Sequence, residues 1–214
     1  MARPRPVPLL VAAVLAVGVP AQAERPGRRP PHVPAFNASE RQALLAGATV
    51  SRPMHFKRGA DGSYIGGVAY QVVNASPARV LAALADPEAL PRALPHTERA
   101  TLVSSDGRSA RIELVQGNAP FLATYTVNLE QTANGHGIRF WLDPTRPHDV
   151  KDVWGYFRVT PFGKKQSLVT LAVALDLGPG IARLLLSDRV ERLILRAPGR
   201  IREYVEPVRL TSAR

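Results

Sequence analysis

Hydrophobic and polar residues alternate from residue 64 to residue 175 with the two-residue period of half-buried β-strands. Turn residues such as Gly, Pro, Asn and Asp interrupt this alternation at short intervals. The pattern predicts strands at 64–73, 100–104, 110–116, 121–131, 138–142, 153–160 and 167–175. Two short helices are predicted between the first two strands, where Pro77 opens an Ala- and Leu-rich run.

The alternation places the large apolar residues of these strands on one side. In the strand 121–131, Tyr125 and Val127 share one face, and Thr124 and Thr126 share the other. A single antiparallel sheet with one apolar and one polar face is therefore predicted. Its apolar face carries Ile112, Leu114, Tyr125, Phe140, Phe157 and Leu171.

The C-terminal stretch 178–206 has a helical period instead. At about 100° per residue, one narrow apolar stripe contains Leu186, Val190, Leu193, Ala197, Ile201 and Tyr204. Most charged residues fall across the cylinder from it: Asp188, Glu191, Arg192, Arg196, Arg202, Glu203 and Glu206. The pattern predicts a long amphipathic helix packed on the apolar face of the sheet. A kink is expected at Pro198, which has no N–H to donate and crowds the preceding turn.

The first 23 residues have the features of a secretory signal peptide. Arg3 and Arg5 precede an apolar core at 7–19, and Ala21-Gln22-Ala23 forms an A-x-A cleavage site. As a helix this core spans only about 20 Å, whereas the hydrocarbon layer of a bilayer is about 30 Å thick. We therefore expect cleavage after Ala23 rather than retention as a membrane anchor, and a periplasmic or secreted protein.

Four regions follow from these patterns. They are the signal peptide at 1–23, a proline- and arginine-rich tether at 24–62, a folded domain at 63–207 and a tail at 208–214. The tether contains one short helix, which Asn37 is expected to cap with Glu40 as the reciprocal partner.

Composition excludes several classes of function. The chain has 214 residues and no cysteine, so it forms no disulfide, thiolate metal site or cysteine nucleophile, and it lacks the cysteine that anchors a lipoprotein. Its net charge of +11 is spread along the sequence rather than clustered, which argues against a nucleic-acid partner.

Candidate chemistry is sparse. The five His residues show no metal-ligand spacing, and neither a G-x-S-x-G elbow nor a phosphate loop occurs. His148 lies among Asp143, Asp149 and Asp152, which predicts either a small acid–base or metal cluster or a solvated loop. No catalytic residue is assigned, and no metal or cofactor is expected.

Polar-side residues leave two further alternatives open. The first concerns Arg111, Glu113 and Arg139. On the predicted register they form cross-strand charge pairs on the polar face, and with the register shifted by one residue Glu113 would be a cavity acid with the two arginines as its partners. Trp141, Trp154 and Tyr156 form an exposed aromatic ladder that binds a partner, or they mark a bulge that reverses the register.

The order strand, two helices, further strands and long helix resembles the helix-grip domain of the START-like (SRPBCC) superfamily. This superfamily includes polyketide cyclases and dehydratases and coenzyme Q-binding proteins. The segments that carry the resemblance are YQVVNASPARVLAALADPEALPRALPHTERATLV and DVWGYFRVTPFGKKQSLVTLAVALDLGPGIARLLL. The implied fold is α+β, with a curved antiparallel sheet of about six to seven strands wrapped around a long C-terminal helix.

The resemblance also implies a cavity between sheet and helix that holds an apolar or amphipathic small molecule. Its expected ligand-binding residues are Ile112, Leu114, Tyr125, Phe140, Phe157, Leu171, Leu186, Leu193 and Ala197.

We interpret the chain as an exported, non-catalytic binder of a lipid, quinone or polyketide-like molecule. The alternative is a cyclase- or dehydratase-like enzyme that uses the same cavity. A third hypothesis is a surface adaptor that makes peripheral contact with anionic lipid headgroups.

Overall fold

A computed structural model describes residues 35–59, 62–119, 121–179 and 181–206, without the side chains of residues 121 and 181–186. The predicted signal peptide at 1–23, the first part of the tether and the tail at 208–214 lie outside the described residues. Within them, no helix is both long enough and apolar enough to span a bilayer.

The described residues contain nine strands in one antiparallel sheet. The strands are β1 (Val50–Pro53), β2 (Phe56–Arg58), β3 (Gly62–Val73), β4 (Thr97–Ser105), β5 (Ser109–Asn118), β6 (Phe121–Gln131), β7 (Gly137–Leu142), β8 (Asp152–Phe162) and β9 (Gln166–Asp176). Their order is β1-β3-β9-β8-β7-β6-β5-β4, with β2 also paired to β3. The predicted α+β fold with one antiparallel sheet is confirmed, and the two strands beyond the predicted number are β1 and β2.

Five helices accompany the sheet in the described part of the chain: α1 (Ala38–Leu45), α2 (Pro77–Ala85), α3 (Leu90–Ala93), α4 (Ile181–Ile194) and α5 (Ala197–Val205). Asn37 caps α1 by accepting a hydrogen bond from the backbone N–H of Glu40, whose carboxylate accepts one from the N–H of Asn37. Ser76 caps α2, and Pro77 occupies its first turn, where a missing N–H costs nothing.

A Gly66–Gly67 pair divides β3 into two halves with different partners. A Cβ on Gly66 would overlap the carbonyl oxygen of Val173, and one on Gly67 would overlap that of Arg52. Strand β1 pairs with β3 from Gly67 to Tyr70, and β2 pairs with it from Gly62 to Tyr64, before the glycines. The sheet and its compact unit, which begins at Pro34, therefore start before the predicted domain boundary at residue 63. Strands this short, with Arg and Pro among their few residues, carry no recognisable alternation.

One face of the sheet, here called the inner face, packs against α2 to α5. It carries the apolar residues of the predicted parity, including Ile112, Val127, Ile138 and Val169, all of which are buried. Two core clusters form there. One lies beneath α2 and α5, and the other lies around β5, β6 and α4.

The predicted C-terminal helix is present as two segments, α4 and α5, separated by a turn at Leu195 and Arg196. Pro198 lies in the first turn of α5, and because it has no N–H, the carbonyl of Ile194 at the end of α4 lacks its usual helical donor. The break lets each segment lie on its own part of the inner face. Ile201 of α5 is fully buried in the first cluster, and Val190 and Ile194 of α4 pack against the second.

The outer face is partly covered by residues N-terminal to β3. Phe56 stacks on Tyr64 with ring centroids 5.1 Å apart, and both rings contact Trp154 edge-on. Farther along β3, the Arg52 guanidinium lies over the rings of Phe36 and Tyr70. Trp154 thus keeps its predicted outer parity and is packed beneath β2, so it is neither an exposed ladder residue nor the mark of a reversed register.

Candidate functional site

A cavity of about 390 Å³ lies between the inner face of the sheet and α3, α4 and α5. Strands β5 to β9 form its floor, and the loop before β8 forms part of its rim. Most of the wall is aliphatic or aromatic, because the strands direct their apolar residues toward the inner face. The volume falls within the usual range of small-molecule pockets, about 300–1,000 Å³.

Seven of the nine predicted ligand-binding residues line this cavity: Leu114, Tyr125, Phe140, Phe157, Leu171, Leu193 and Ala197. Ile112 does not line it, because it is fully buried in the core cluster around β5. The side chain of Leu186 lies outside the described part of the structure. That these residues contact a ligand remains a prediction.

A glycine next to Phe140 makes room for an aromatic part of the cavity wall. Gly155 of β8 is the register partner of Phe140 in β7, and a Cβ on it would lie 2.6 Å from Cζ of Phe140. The Phe140 ring can therefore lie over the backbone of β8, with its centroid 5.8 Å from that of Phe157. A side chain at 155 would overlap the backbone carbonyl of Ala172 as well as the Phe140 ring.

One part of the wall is polar. Gln116 lies on the same face of β5 as Ile112 and Leu114, and it lines the cavity beside Tyr125. The Tyr125 hydroxyl donates a hydrogen bond to Oε1 of Gln116, and Nε2 of Gln116 donates one of 2.6 Å to Oγ1 of Thr97. Burial raises the pKa of Tyr125, so its hydroxyl stays protonated. The sequence reasoning missed Gln116, although a polar residue on an apolar parity is itself a signal of a special position.

The rim carries two exposed titratable residues, His96 and Asp149. His96 has a positive φ of 48°, and its Nδ1 lies 2.8 Å from the side-chain oxygen of Asn118. Asp149 accepts a 2.8 Å hydrogen bond from the backbone N–H of Thr124. Leu122, 43% exposed, also borders the opening. His96 and Asp149 are thus held by different partners at the solvent side of the cavity.

The prediction that Glu191 faces solvent is wrong. It is 5% exposed, and its carboxylate contacts Nε2 of His55. His55 lies in the link between β1 and β2, a segment that the sequence assigned to the tether, so no helical pattern could identify it as the partner. The contact connects the N-terminal strands to α4, whose neighbouring residues Val190 and Ile194 line the cavity.

The charged residues considered as candidate chemistry do not converge on the cavity interior. Arg139 pairs with Glu130 across two strands at 3.1 Å, Glu113 with Arg146 at 3.3 Å, and Arg111 with Asp143 at 3.6 Å. Arg111, Glu113 and Arg139 are therefore in charge pairs outside the cavity, as the unshifted register predicts, although the partners Asp143 and Arg146 lie in the loop after β7.

The cluster around His148 is dispersed in the same way. Nδ1 of His148 bonds the carbonyl of Val150, and Asp152 accepts from the Tyr64 hydroxyl. Asp143 accepts from Thr145, and this contact lowers the pKa of Asp143. Among the described residues, no three His, Asp or Glu side chains group as metal ligands.

Solved structures with the same fold have low sequence identity. A protein from Thermus thermophilus is 22% identical with a TM-score of 0.56, over 64% of this chain and 94% of that one. A STAR-related lipid transfer protein from Xanthomonas axonopodis is 14% identical with a TM-score of 0.57, over 72% and 98%. The Zhui aromatase/cyclase from Streptomyces sp. R1128 is 14% identical with a TM-score of 0.54, over 72% and 92%. At this identity the likeness shows the fold alone.

Sequence comparison is more specific. No curated protein matches the chain. A family model described as polyketide cyclase/dehydrase and lipid transport matches residues 68–206, which is more than half of the sequence. The match begins within β3 and ends after α5, so it includes every element that lines the cavity. The chain therefore belongs to the polyketide cyclase/dehydrase and lipid transport family.

Proposed function

We propose that this protein binds a hydrophobic or amphipathic small molecule, such as a lipid, quinone or polyketide-like compound, between the sheet and the C-terminal helices. The observation that carries the proposal is the cavity of about 390 Å³ with a mainly apolar wall. Side chains packed to ordinary density leave few voids larger than a water molecule. A cavity of this size on the inner face is therefore suited to a guest molecule.

The alternative is a cyclase- or dehydratase-like reaction in the same cavity. It needs a group that can take up a proton beside the bound molecule. Among the described lining residues, Tyr125 is the titratable group of the interior, and burial raises the pKa of its hydroxyl. A phenol that stays protonated can donate a hydrogen bond and cannot act as a general base. The wall thus favours binding over catalysis.

Filling the cavity tests this proposal. Leu193 lines the cavity from α4, so Leu193→Trp should occupy the space and weaken binding of the neutral dye Nile red about tenfold or more. The thermal unfolding midpoint should change little, because the added ring enters empty volume. Arg196→Trp is the matched control, since Arg196 is exposed in the turn after α4.

A destabilised Leu193→Trp variant would indicate a closed core instead of a cavity. In a closed core, Leu193→Trp would overpack the interior and cost about 1–3 kcal/mol of unfolding free energy. Wild-type protein that does not bind Nile red, together with a destabilised Leu193→Trp variant, would reject the proposed function.

We further propose that the protein acts outside the cytoplasm after cleavage behind Ala23. The proposal is supported by the basic start, the short apolar core and the A-x-A site of residues 1–23. N-terminal sequencing of the extracytoplasmic fraction should give Glu-Arg-Pro-Gly, and replacing Ala21 and Ala23 with Arg should block that cleavage. An intact Met1 in the membrane fraction of the wild type would refute it.

A further inference from the structure

The hydrogen bonds at the polar part of the cavity have defined directions. Oγ1 of Thr97 lies 2.6 Å from Nε2 of Gln116 and, in a longer contact, 3.5 Å from the carbonyl oxygen of Pro95. A carbonyl oxygen only accepts, so the Thr97 hydroxyl donates to Pro95 and accepts from Gln116. The Gln116 amide is thereby oriented with Nε2 toward Thr97 and Oε1 toward Tyr125. The Tyr125 hydroxyl must then be the donor of its bond with Gln116.

This arrangement leaves one donor and one acceptor for a bound molecule. Nε2 of Gln116 has a second proton besides the one given to Thr97, and Oη of Tyr125 keeps a lone pair. Both residues line the cavity, and Tyr125 is 7% exposed. An apolar molecule would leave these groups without partners, which costs free energy once water is displaced.

Charge at the cavity disfavours anions. Among the described lining residues there is no Arg or Lys. The rim carries the carboxylate of Asp149 and the imidazole of His96, whose Nδ1 is bonded to the side chain of Asn118. One oxygen of that carboxylate is held by the N–H of Thr124, so it stays beside the opening. A carboxylate or phosphate brought into the interior would lose its hydration, and no Arg or Lys among the described lining residues is there to pair with it.

We propose that the ligand carries one uncharged hydroxyl group, which accepts a hydrogen bond from Nε2 of Gln116 and donates one to Oη of Tyr125. The pair selects such molecules over plain hydrocarbons and over carboxylates of the same shape. This inference rests on the proposed function of the cavity. It goes beyond that function by assigning a ligand class and two specificity-determining residues.

Three probes of one shape test the inference: naphthalene, 2-naphthol and 2-naphthoate, titrated at neutral pH. The wild type should bind 2-naphthol about two- to tenfold more tightly than naphthalene, the effect of one net hydrogen bond. It should bind 2-naphthoate more weakly than naphthalene. Tyr125→Phe and Gln116→Leu should each reduce the ratio of the naphthalene and 2-naphthol dissociation constants toward one. Gln131→Leu is the control, because Gln131 is exposed on the strand of Tyr125 and lies outside this cavity.

The outcomes distinguish a failure of the proposed hydroxyl site from a failure of the proposed binding function. Equal binding of naphthalene and 2-naphthol, tightest binding of 2-naphthoate, or an unchanged preference in both variants would overturn the inference and leave the proposed function standing. Failure of all three probes to bind the folded wild type would overturn both.

Discussion

On β5, Ile112 and Leu114 lie two positions apart on the inner face but have different surroundings. Ile112 is fully buried among core residues, whereas Leu114, 5% exposed, borders the cavity. A residue packed on all sides loses contacts in every direction when it is truncated. A residue beside a cavity has fewer contacts to lose.

We therefore predict different costs for two identical truncations. Ile112→Ala should lower the free energy of unfolding by about 2–5 kcal/mol, the usual cost of such a change in a packed core. Leu114→Ala should cost less and should change the affinity for Nile red, because it alters the cavity wall. Urea unfolding and dye titration measure both effects. Equal destabilisation, with Nile red binding unchanged in both variants, would contradict the assigned cavity wall.

The sequence predicts the orientation of a single side chain where the hydrophobic residues repeat with a fixed period. The two-residue period is enough to place Leu114, Tyr125 and Phe157 on the inner face. It cannot separate Ile112 from Leu114, because the helices above the sheet decide which inner residue is covered. Nor can it find the contact of Glu191 with His55, since no local pattern connects residues so far apart in the sequence.

At the element scale, the end of α5 is joined to the end of β3 through Glu206. Its carboxylate accepts hydrogen bonds from the backbone N–H of Asn74 at 2.8 Å, from the Asn74 amide at 3.0 Å and from the Arg202 guanidinium at 2.9 Å. Partial burial alone would raise the pKa of Glu206, and these hydrogen bonds outweigh burial and lower it. The carboxylate is therefore more acidic in the folded chain than in the unfolded one.

A lowered folded-state pKa predicts a definite pH dependence. The stabilisation by Glu206 should be complete above its unfolded pKa and should be lost as the pH falls through its folded pKa. Glu206→Gln should thus have a lower melting temperature than the wild type at neutral pH, and the difference should shrink in acid. Glu203→Gln is the control, because the Glu203 side chain is 65% exposed on the same helix. A difference that stays constant or grows as the pH falls would refute the assigned pKa direction.

Elements differ in how far the sequence predicts them. Pro198 alone predicts a disturbance in the C-terminal helix, and the structure has a turn there, because a missing donor acts locally. Strand β1, by contrast, is extended because it pairs with β3, as Pro53 does with Gly67. Its own four residues contain no alternation from which a strand could be predicted.

At the scale of the whole molecule, the segment between Pro34 and β3 is part of the fold. It covers Tyr70 with Phe36 and Arg52, pairs both halves of β3 and supplies His55 to α4. The salt bridge of Arg52 with Glu40, at 2.7 Å, holds α1 to β1. Removing this segment would uncover aromatic surface and leave β3 as an unprotected sheet edge.

Two truncations test this. A chain beginning at Pro34 should unfold at nearly the same urea concentration as a chain beginning at Glu24, because it keeps the whole compact unit. A chain beginning at Ser63 should lose several kcal/mol of stability or aggregate. Equal stability of the two chains would mean that the domain begins near residue 63, as the sequence alone suggested.

Strand β3 is the first strand of the matched domain and β9 is its last strand, yet they pair from Ile65–Leu175 to Val73–Ser167. Because pairing between distant segments must first overcome the entropy of closing the chain between them, such a topology folds slowly. A polypeptide leaving the ribosome cannot complete its sheet until β9 has been made. Until then one side of β3 has no neighbouring strand and is an open sheet edge, to which a strand of another chain can pair.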